Sequence, residues 1–163
     1  MQVLSPSDGI EAVSSSRLLI VDDDAYLRAT LRDQLAVEGF NDVFDVGVVA
    51  DLDNVLRHAN PDLILLDIQM PDGNGIDVCQ RLRRNGFAKP IVMLAAKGAE
   101  GDIVLGLESG ANDYITKPLR LGELIACIRT QLRQFHASDD ARFEIGNLSF
   151  VPANKMLHEI GSD

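Results

Sequence analysis

Short apolar runs alternate along this chain with stretches whose apolar residues return every third or fourth position, and the alternation occurs five times. Arg17-Leu-Leu-Ile-Val21 reads as a strand; in the helix after it Leu27, Leu31 and Leu35 share one face until Gly39 ends it. Val43–Val46 is a second strand, and Leu52, Val55 and Leu56 mark a second amphipathic helix. Pro61 opens the third strand, Asp62-Leu-Ile-Leu-Leu66, which is apolar throughout, as expected of a strand covered on both faces. The loop Met70-Pro-Asp-Gly-Asn-Gly75 is dense in turn formers, and Ile76, Cys79 and Leu82 carry a third helix to Asn85-Gly86. Pro90-Ile-Val-Met-Leu94 is the fourth strand. A fourth helix runs from Asp102 to about Ser109 with Gly110 as its cap, and Tyr114-Ile115 is a short fifth strand. The last helix sets Leu121, Leu124, Ile125, Ile128 and Leu132 on one stripe. Strands and helices alternating at this spacing predict right-handed crossovers and a doubly wound parallel α/β sheet.

Charged residues stand where the apolar runs stop. Asp22-Asp23-Asp24 follows the first strand, Asp67 ends the third, and Asp113-Tyr-Ile-Thr-Lys-Pro118 brings a lysine to the end of the fifth. In a parallel sheet those ends share one edge, where such folds bind ligands. Carboxylates crowded there repel one another unless a cation joins them, and Mg2+ takes oxygen ligands of this kind. Asp22, Asp23 and Asp67, with the backbone carbonyl of Gln69, form the expected metal set. A free oxygen of Asp67 is placed to attack phosphorus, and Lys117, held at the kink of Pro118, is placed to pair with Asp67 and then with phosphoryl oxygens. Asp24 is a helix N-cap candidate.

Composition narrows the alternatives. A net charge of −10 argues against a nucleic-acid face on these residues. No apolar run approaches the roughly 18 residues that span a bilayer, and Met1–Ser16 has no basic or apolar signal region. A cytoplasmic location with no membrane contact is expected, and Cys79 and Cys127 then read as reduced thiols. Residues 1–16 are Ser-rich and read as a disordered leader, and 136–141 as a linker. Beyond it Phe143, Ile145, Leu148 and Phe150 suggest strands, too few to bury a core of their own. The stretch Asp67 to Asp77 is out of register for a calcium loop, no phosphate-binding Gly-x-x-x-x-Gly-Lys-Ser/Thr occurs, and the three histidines lack metal spacing.

Val21-Asp-Asp-Asp24, Asp62-Leu-Ile-Leu-Leu-Asp-Ile-Gln-Met-Pro-Asp-Gly-Asn-Gly75 and Gly110-Ala-Asn-Asp-Tyr-Ile-Thr-Lys-Pro118 together closely resemble the receiver domain of two-component response regulators. The resemblance covers Arg17 to about Gln134, giving a receiver domain over 17–135. It implies a flavodoxin-like five-stranded sheet of order 2-1-3-4-5. It also implies Mg2+, a sensor histidine kinase that donates a phosphoryl group to Asp67, and phosphoryl contacts from Lys117 and from the backbone of Ala95 and Ala96. Residues 142–163 look like the opening, short β strands of the winged-helix output domain in the OmpR/PhoB group, so DNA binding and transcription control would belong only to a longer parent.

Three departures stand out. Where the family usually has Thr or Ser at the end of strand four, this chain has Ala95, which puts the coupling between phosphate and the switch residue Tyr114 in question. The group's homodimer face on helix four, strand five and helix five depends on ion pairs. Here Ile103 replaces its basic residue and Cys127 its arginine, so Asp113 and Glu123 lose partners while Glu108 and Arg129 remain. With Leu105 and Leu107 that face becomes unusually apolar, and a dimer driven by apolar burial is expected. Leu119 replaces a frequent Phe, a neutral packing change. Two rivals remain: an atypical receiver that works without phosphorylation, which Ala95 favours, and an aspartyl phosphohydrolase, disfavoured because Gln69 stands where its second Asp belongs.

Overall fold

In the computed structural model Val13 and residues 15–147 are described, with side chains through Asp139. Five strands, β1 (Leu18–Val21), β2 (Val43–Val46), β3 (Leu63–Asp67), β4 (Ile91–Ala95) and β5 (Asp113–Thr116), pair in the order β2-β1-β3-β4-β5. All neighbours are parallel. The helices are α1 (Ala25–Val37), α2 (Leu52–Ala59), α3 (Gly75–Arg84), α4 (Glu100–Glu108) and α5 (Leu121–Asn147). The architecture is the one expected from the alternation.

Every residue of β1, β3 and β4 is buried. Their alternate side chains supply the two apolar clusters on either face of the sheet. Leu18, Ile20, Leu63 and Leu65 meet Leu31 and Leu35 of α1 and Leu124 and Ile128 of α5. Leu19, Val21, Ile64 and Leu66 meet Leu52 of α2 and Ile76, Cys79 and Leu82 of α3. Each fully buried Leu or Ile contributes about 1.5–3 kcal/mol, which makes the strands the rigid part of the molecule. Register then decides where the functional ends lie. Val21 is level with Leu66, Asp67 with Leu94, and Ala95 with Thr116. Asp22, Asp67, Ala95 and Lys117 thus emerge along one edge.

Gly39, at φ 99°, turns the chain out of α1, and the chain returns through buried Phe40 to β2. Four expectations need adjustment. The loop after Asp67 contains a small antiparallel ladder, with Gln69 opposite Asn74 and Met70 opposite Gly73. Helix α4 starts at Glu100 rather than Asp102; both acids sit in its first turn, where they favour the helix N-terminus. Helix α5 runs on through residues 136–141, expected as a linker, and includes Phe143 and Ile145, expected in strands. That stretch holds no Gly or Pro before Gly146, so nothing in it stops a helix. The C-terminal β segment beyond Asn147 lies outside the described residues, as do residues 1–12 and 14 of the expected leader. Val13, though, is buried in the α1/α5-side cluster. The chain divides into two compact units, Met1–Leu132 and Arg133–Asp163.

Candidate functional site

The acidic turn is built from the end of β1 outward. Asp22 is fully buried and Asp67 is 5% exposed. Asp23 beside them is exposed to solvent, and one carboxylate oxygen from each of the three lies within 4.8 Å of the others. Asp24 is the N-cap of α1, its side chain accepting the Leu27 N–H at 3.0 Å. The Asp24 N–H in turn donates to Asp22 Oδ1 at 2.9 Å. Among the described residues, the cation paired with these carboxylates is Lys117. Its Nζ lies 2.7 Å from Asp22 Oδ2 and 3.3 Å from Asp67 Oδ2. The first contact is a close ion pair, and it is the only contact found for the buried Asp22 Oδ2 among the described residues. The Lys117–Pro118 bond is cis, and the Lys117 N–H donates to the Ala95 carbonyl at 2.7 Å.

Burial raises the Asp67 pKa, and the neighbouring Asp22 charge raises it further. Burial works against the Lys117 charge, but Asp22 and then Asp67 outweigh it and hold the ammonium above the ordinary lysine range. Three clustered carboxylates against one ammonium leave an excess of negative charge, and the buried Asp22 Oδ2 shares that ammonium with Asp67. An all-oxygen set of this kind fits a hard divalent cation such as Mg2+ rather than a metal that prefers nitrogen or sulfur.

The loop after Asp67 is held at both ends. The Gly75 N–H donates to the Ile68 carbonyl at 2.7 Å, and the Gln69 N–H to Asp67 Oδ1 at 3.1 Å. Asn74 caps α3 by accepting the Ile76 N–H at 2.7 Å. At its tip Asp72 accepts the backbone N–H groups of Val49 and Ala50 at 2.8 and 3.0 Å. The Val49 bond is the main cause of a lowered Asp72 pKa. A depressed carboxyl contributes stability that is complete at neutral pH and is lost as the pH falls below the unfolded value of 3.8 and through the lower folded one. Asp72→Asn is therefore expected to flatten the acid limb of stability against pH, measured by urea denaturation between neutral and acid pH.

Ala95 is fully buried at the end of β4, with no hydroxyl to offer, and Tyr114 is 40% exposed. The Ala96 carbonyl accepts the Ala99 N–H. The expected dimer face is partly corrected. Ile103 packs, partly buried, against the core, and the exposed apolar residues of α4 are Val104, Leu105 and Leu107. Cys127 is buried, and its thiol donates to Asp113 Oδ2 at 3.4 Å, so Asp113 keeps a partner. Burial, then Asp113, pushes that thiol up to about 12. Arg129 turns to Glu38 at 3.1 Å and lies over the Phe40 ring. Glu108 and Glu123 are exposed, and Glu123 borders a cleft with Lys97 and Arg120. Neither Arg28, whose guanidinium holds the Asp22 carbonyl, nor Asp72 was picked out by sequence reasoning; the only signal for Arg28 was its place one turn past the acidic run. Cys79 and Cys127 are both free thiols. Among the described residues no helix is long and apolar enough to cross a membrane.

Comparison with known proteins agrees with this geometry. The response regulator receiver domain profile matches residues 18–129. The DNA-binding response regulator MtrA of Mycolicibacterium smegmatis is 44% identical over 147 residues, covering 88% of this chain and 62% of its own length. The alkaline phosphatase synthesis transcriptional regulatory protein SphR of Synechococcus elongatus is 42% identical over 135 residues, or 76% of this chain and 51% of that protein. The chain thus spans between about half and two thirds of these relatives. Among solved structures, a Francisella response regulator receiver domain superposes with TM-score 0.69 at 26% identity, covering 74% of this chain and 99% of the other. A Chloroflexus aurantiacus response regulator superposes equally well, at 0.69 and 30% identity, over 73% and 98% of the two chains. This chain belongs to the response regulator receiver domain family, a family of signalling proteins related here to DNA-binding regulators.

Proposed function

We propose that this domain is a phosphoryl-accepting switch whose acceptor is Asp67, supplied by a sensor histidine kinase. The observation that supports it most directly is the convergence of Asp22, Asp23, Asp67 and Lys117 at one strand edge. Mg2+ held by Asp22, Asp23, Asp67 and the Gln69 carbonyl supplies charge neutralisation when bound. The chain's own residues do the rest. A carboxylate oxygen of Asp67 attacks the phosphorus of a phosphohistidine, the P–N bond breaks, and the imidazole leaves with a proton from solvent. Lys117, already paired with Asp67, moves its charge onto the phosphoryl oxygens. The product is an acyl phosphate, and the domain is a stoichiometric acceptor, not an enzyme with an outside substrate.

Incubation with acetyl phosphate and Mg2+, followed by intact-mass measurement, is expected to give a single phosphoryl adduct. EDTA or Asp67→Asn should abolish it. An adduct of equal size on Asp67→Asn would overturn the assignment.

In a longer parent, output is transcription control through a DNA-binding domain, a reading supported by the names of MtrA and SphR. The exposed Val104, Leu105 and Leu107, with Tyr114 on β5, support a homodimer that buries apolar surface across α4, β5 and α5. Ala95 favours a second reading, in which dimerisation does not depend on phosphate. Sedimentation with and without beryllofluoride and Mg2+ separates the two. A shift to dimer on addition supports the switch, and an unchanged dimer supports the second reading.

A further inference from the structure

We infer that Arg28 is a positioning residue for the metal-binding turn, holding the peptide between Asp22 and Asp23 so that both carboxylates face the ion. This rests on the Mg2+ reading of the site given above. Every backbone polar group of Asp22 is tied down: its N–H donates to the Val46 carbonyl at 3.2 Å, and its carbonyl accepts Arg28 Nη1 at 2.7 Å. Without that guanidinium the carbonyl of the peptide joining the two proposed metal ligands loses the clamp that α1 supplies.

Arg28 is itself fixed. Its Nε donates to Asp45 Oδ2 at 2.6 Å, and Arg32 holds the other oxygen of Asp45 at 2.7 Å. The side chain of Arg28 is only 19% exposed. The guanidinium lies against the backbone of Gly47, where a Cβ would stand 2.7 Å from Nη1 and 3.2 Å from Cζ. Gly47 thus leaves the space through which Arg28 reaches Asp22. The strand end, the glycine and the arginine form one unit that sets the direction of the acidic turn.

Charge alone would make Arg28 act in the opposite sense. A fixed cation beside a site for a divalent cation repels it, so a purely electrostatic Arg28 would weaken Mg2+ binding and its removal would tighten it. A purely structural Arg28 would lower stability and leave affinity unchanged. Residues that orient metal ligands from outside the coordination sphere typically lose about 10–100-fold in metal affinity when removed.

Calorimetric titration of the full chain with MgCl2, with thermal melting of each metal-free protein alongside, tests the inference. Arg28→Gln is expected to weaken Mg2+ binding about tenfold. Gly47→Ala, which keeps the arginine charge but displaces the guanidinium, should weaken it in the same direction. Arg28→Lys, which reaches one of the two acceptors, should fall between. If Arg28→Gln does not fold, Gly47→Ala and Arg28→Lys decide. Unchanged or tighter binding in the folded variants, with wild type binding Mg2+, overturns this inference and leaves the site assignment standing. No Mg2+ binding by wild type overturns the assignment and the inference together.

Discussion

Lys117→Ala is expected to destabilise the metal-free protein by about 3 kcal/mol, because it strips a fully buried carboxylate of its cation. The figure is at the low end for a broken buried pair because the lysine side chain is 29% exposed. A loss of that size is a large fraction of the roughly 5–15 kcal/mol that holds a domain folded. The sequel distinguishes this from a general packing defect. Adding Asp22→Asn should recover most of the loss, since the charge left unpaired is then gone. Mg2+ should recover part of it as well, by up to about 2.7 kcal/mol at a hundredfold excess over the dissociation constant. Urea denaturation of the single and double variants, with and without Mg2+, gives all four values. The phosphoryl adduct should also form more slowly on Lys117→Ala, in which the cation that meets the phosphoryl oxygens is missing.

The second large effect is expected at Gly75. A Cβ there would overlap the Asp67 carbonyl oxygen and stand 2.7 Å from the Ile68 Cα. Both obstacles are backbone, with no flexible side-chain end to give way. Gly75→Ala must therefore shift the segment from Asp67 to Asn74, at a cost of about 1–3 kcal/mol in the fold. The larger consequence is at the site, because that segment sets the Gln69 carbonyl and is tied to Asp67 Oδ1 through the Gln69 N–H. Mg2+ affinity and adduct formation should both drop at least tenfold, in line with the loss of a ligand-orienting contact. Gly73→Ala is the control. Its Cβ would meet the Val49 side chain, with the nearest methyl at 3.2 Å and no backbone atom among the nearest neighbours. Near-normal Mg2+ binding is expected there, and equal losses in the two variants would show that the loop tolerates no added atom anywhere.

The strand edge was legible because the rule behind it is local: a run buried on both faces must be apolar, and the first charged residue after it marks the strand's end. That rule located Asp22 and Asp67; Lys117 follows β5, an edge strand that is only partly buried, and was marked instead by its place before Pro118. What the sequence did not reveal are contacts whose partners are far apart and follow no period. Arg129 and Glu38 are 91 positions apart, and Arg28 on α1 finds Asp45 on β2, 17 positions on. The exchange of an arginine for Cys127 reads as a lost partner for Asp113, yet a buried thiol supplies the hydrogen bond instead. In α4 the run Ile103-Val104-Leu105 has too many apolar neighbours to fix the helix phase, and only packing shows that Ile103 turns inward. The continuation of α5 past Gln134 was hidden because polar composition is as compatible with an exposed helix as with a linker.

The central claim is that Asp67 forms an acyl phosphate in a cation-dependent reaction. Borohydride reduces an aspartyl phosphate to homoserine, so peptide mapping after acetyl phosphate treatment and reduction reads the acceptor position directly. Homoserine at position 67 alone, absent when EDTA replaces Mg2+, is the predicted result. Homoserine at position 22 or 23, or none at 67 under conditions where Mg2+ is bound, would contradict it.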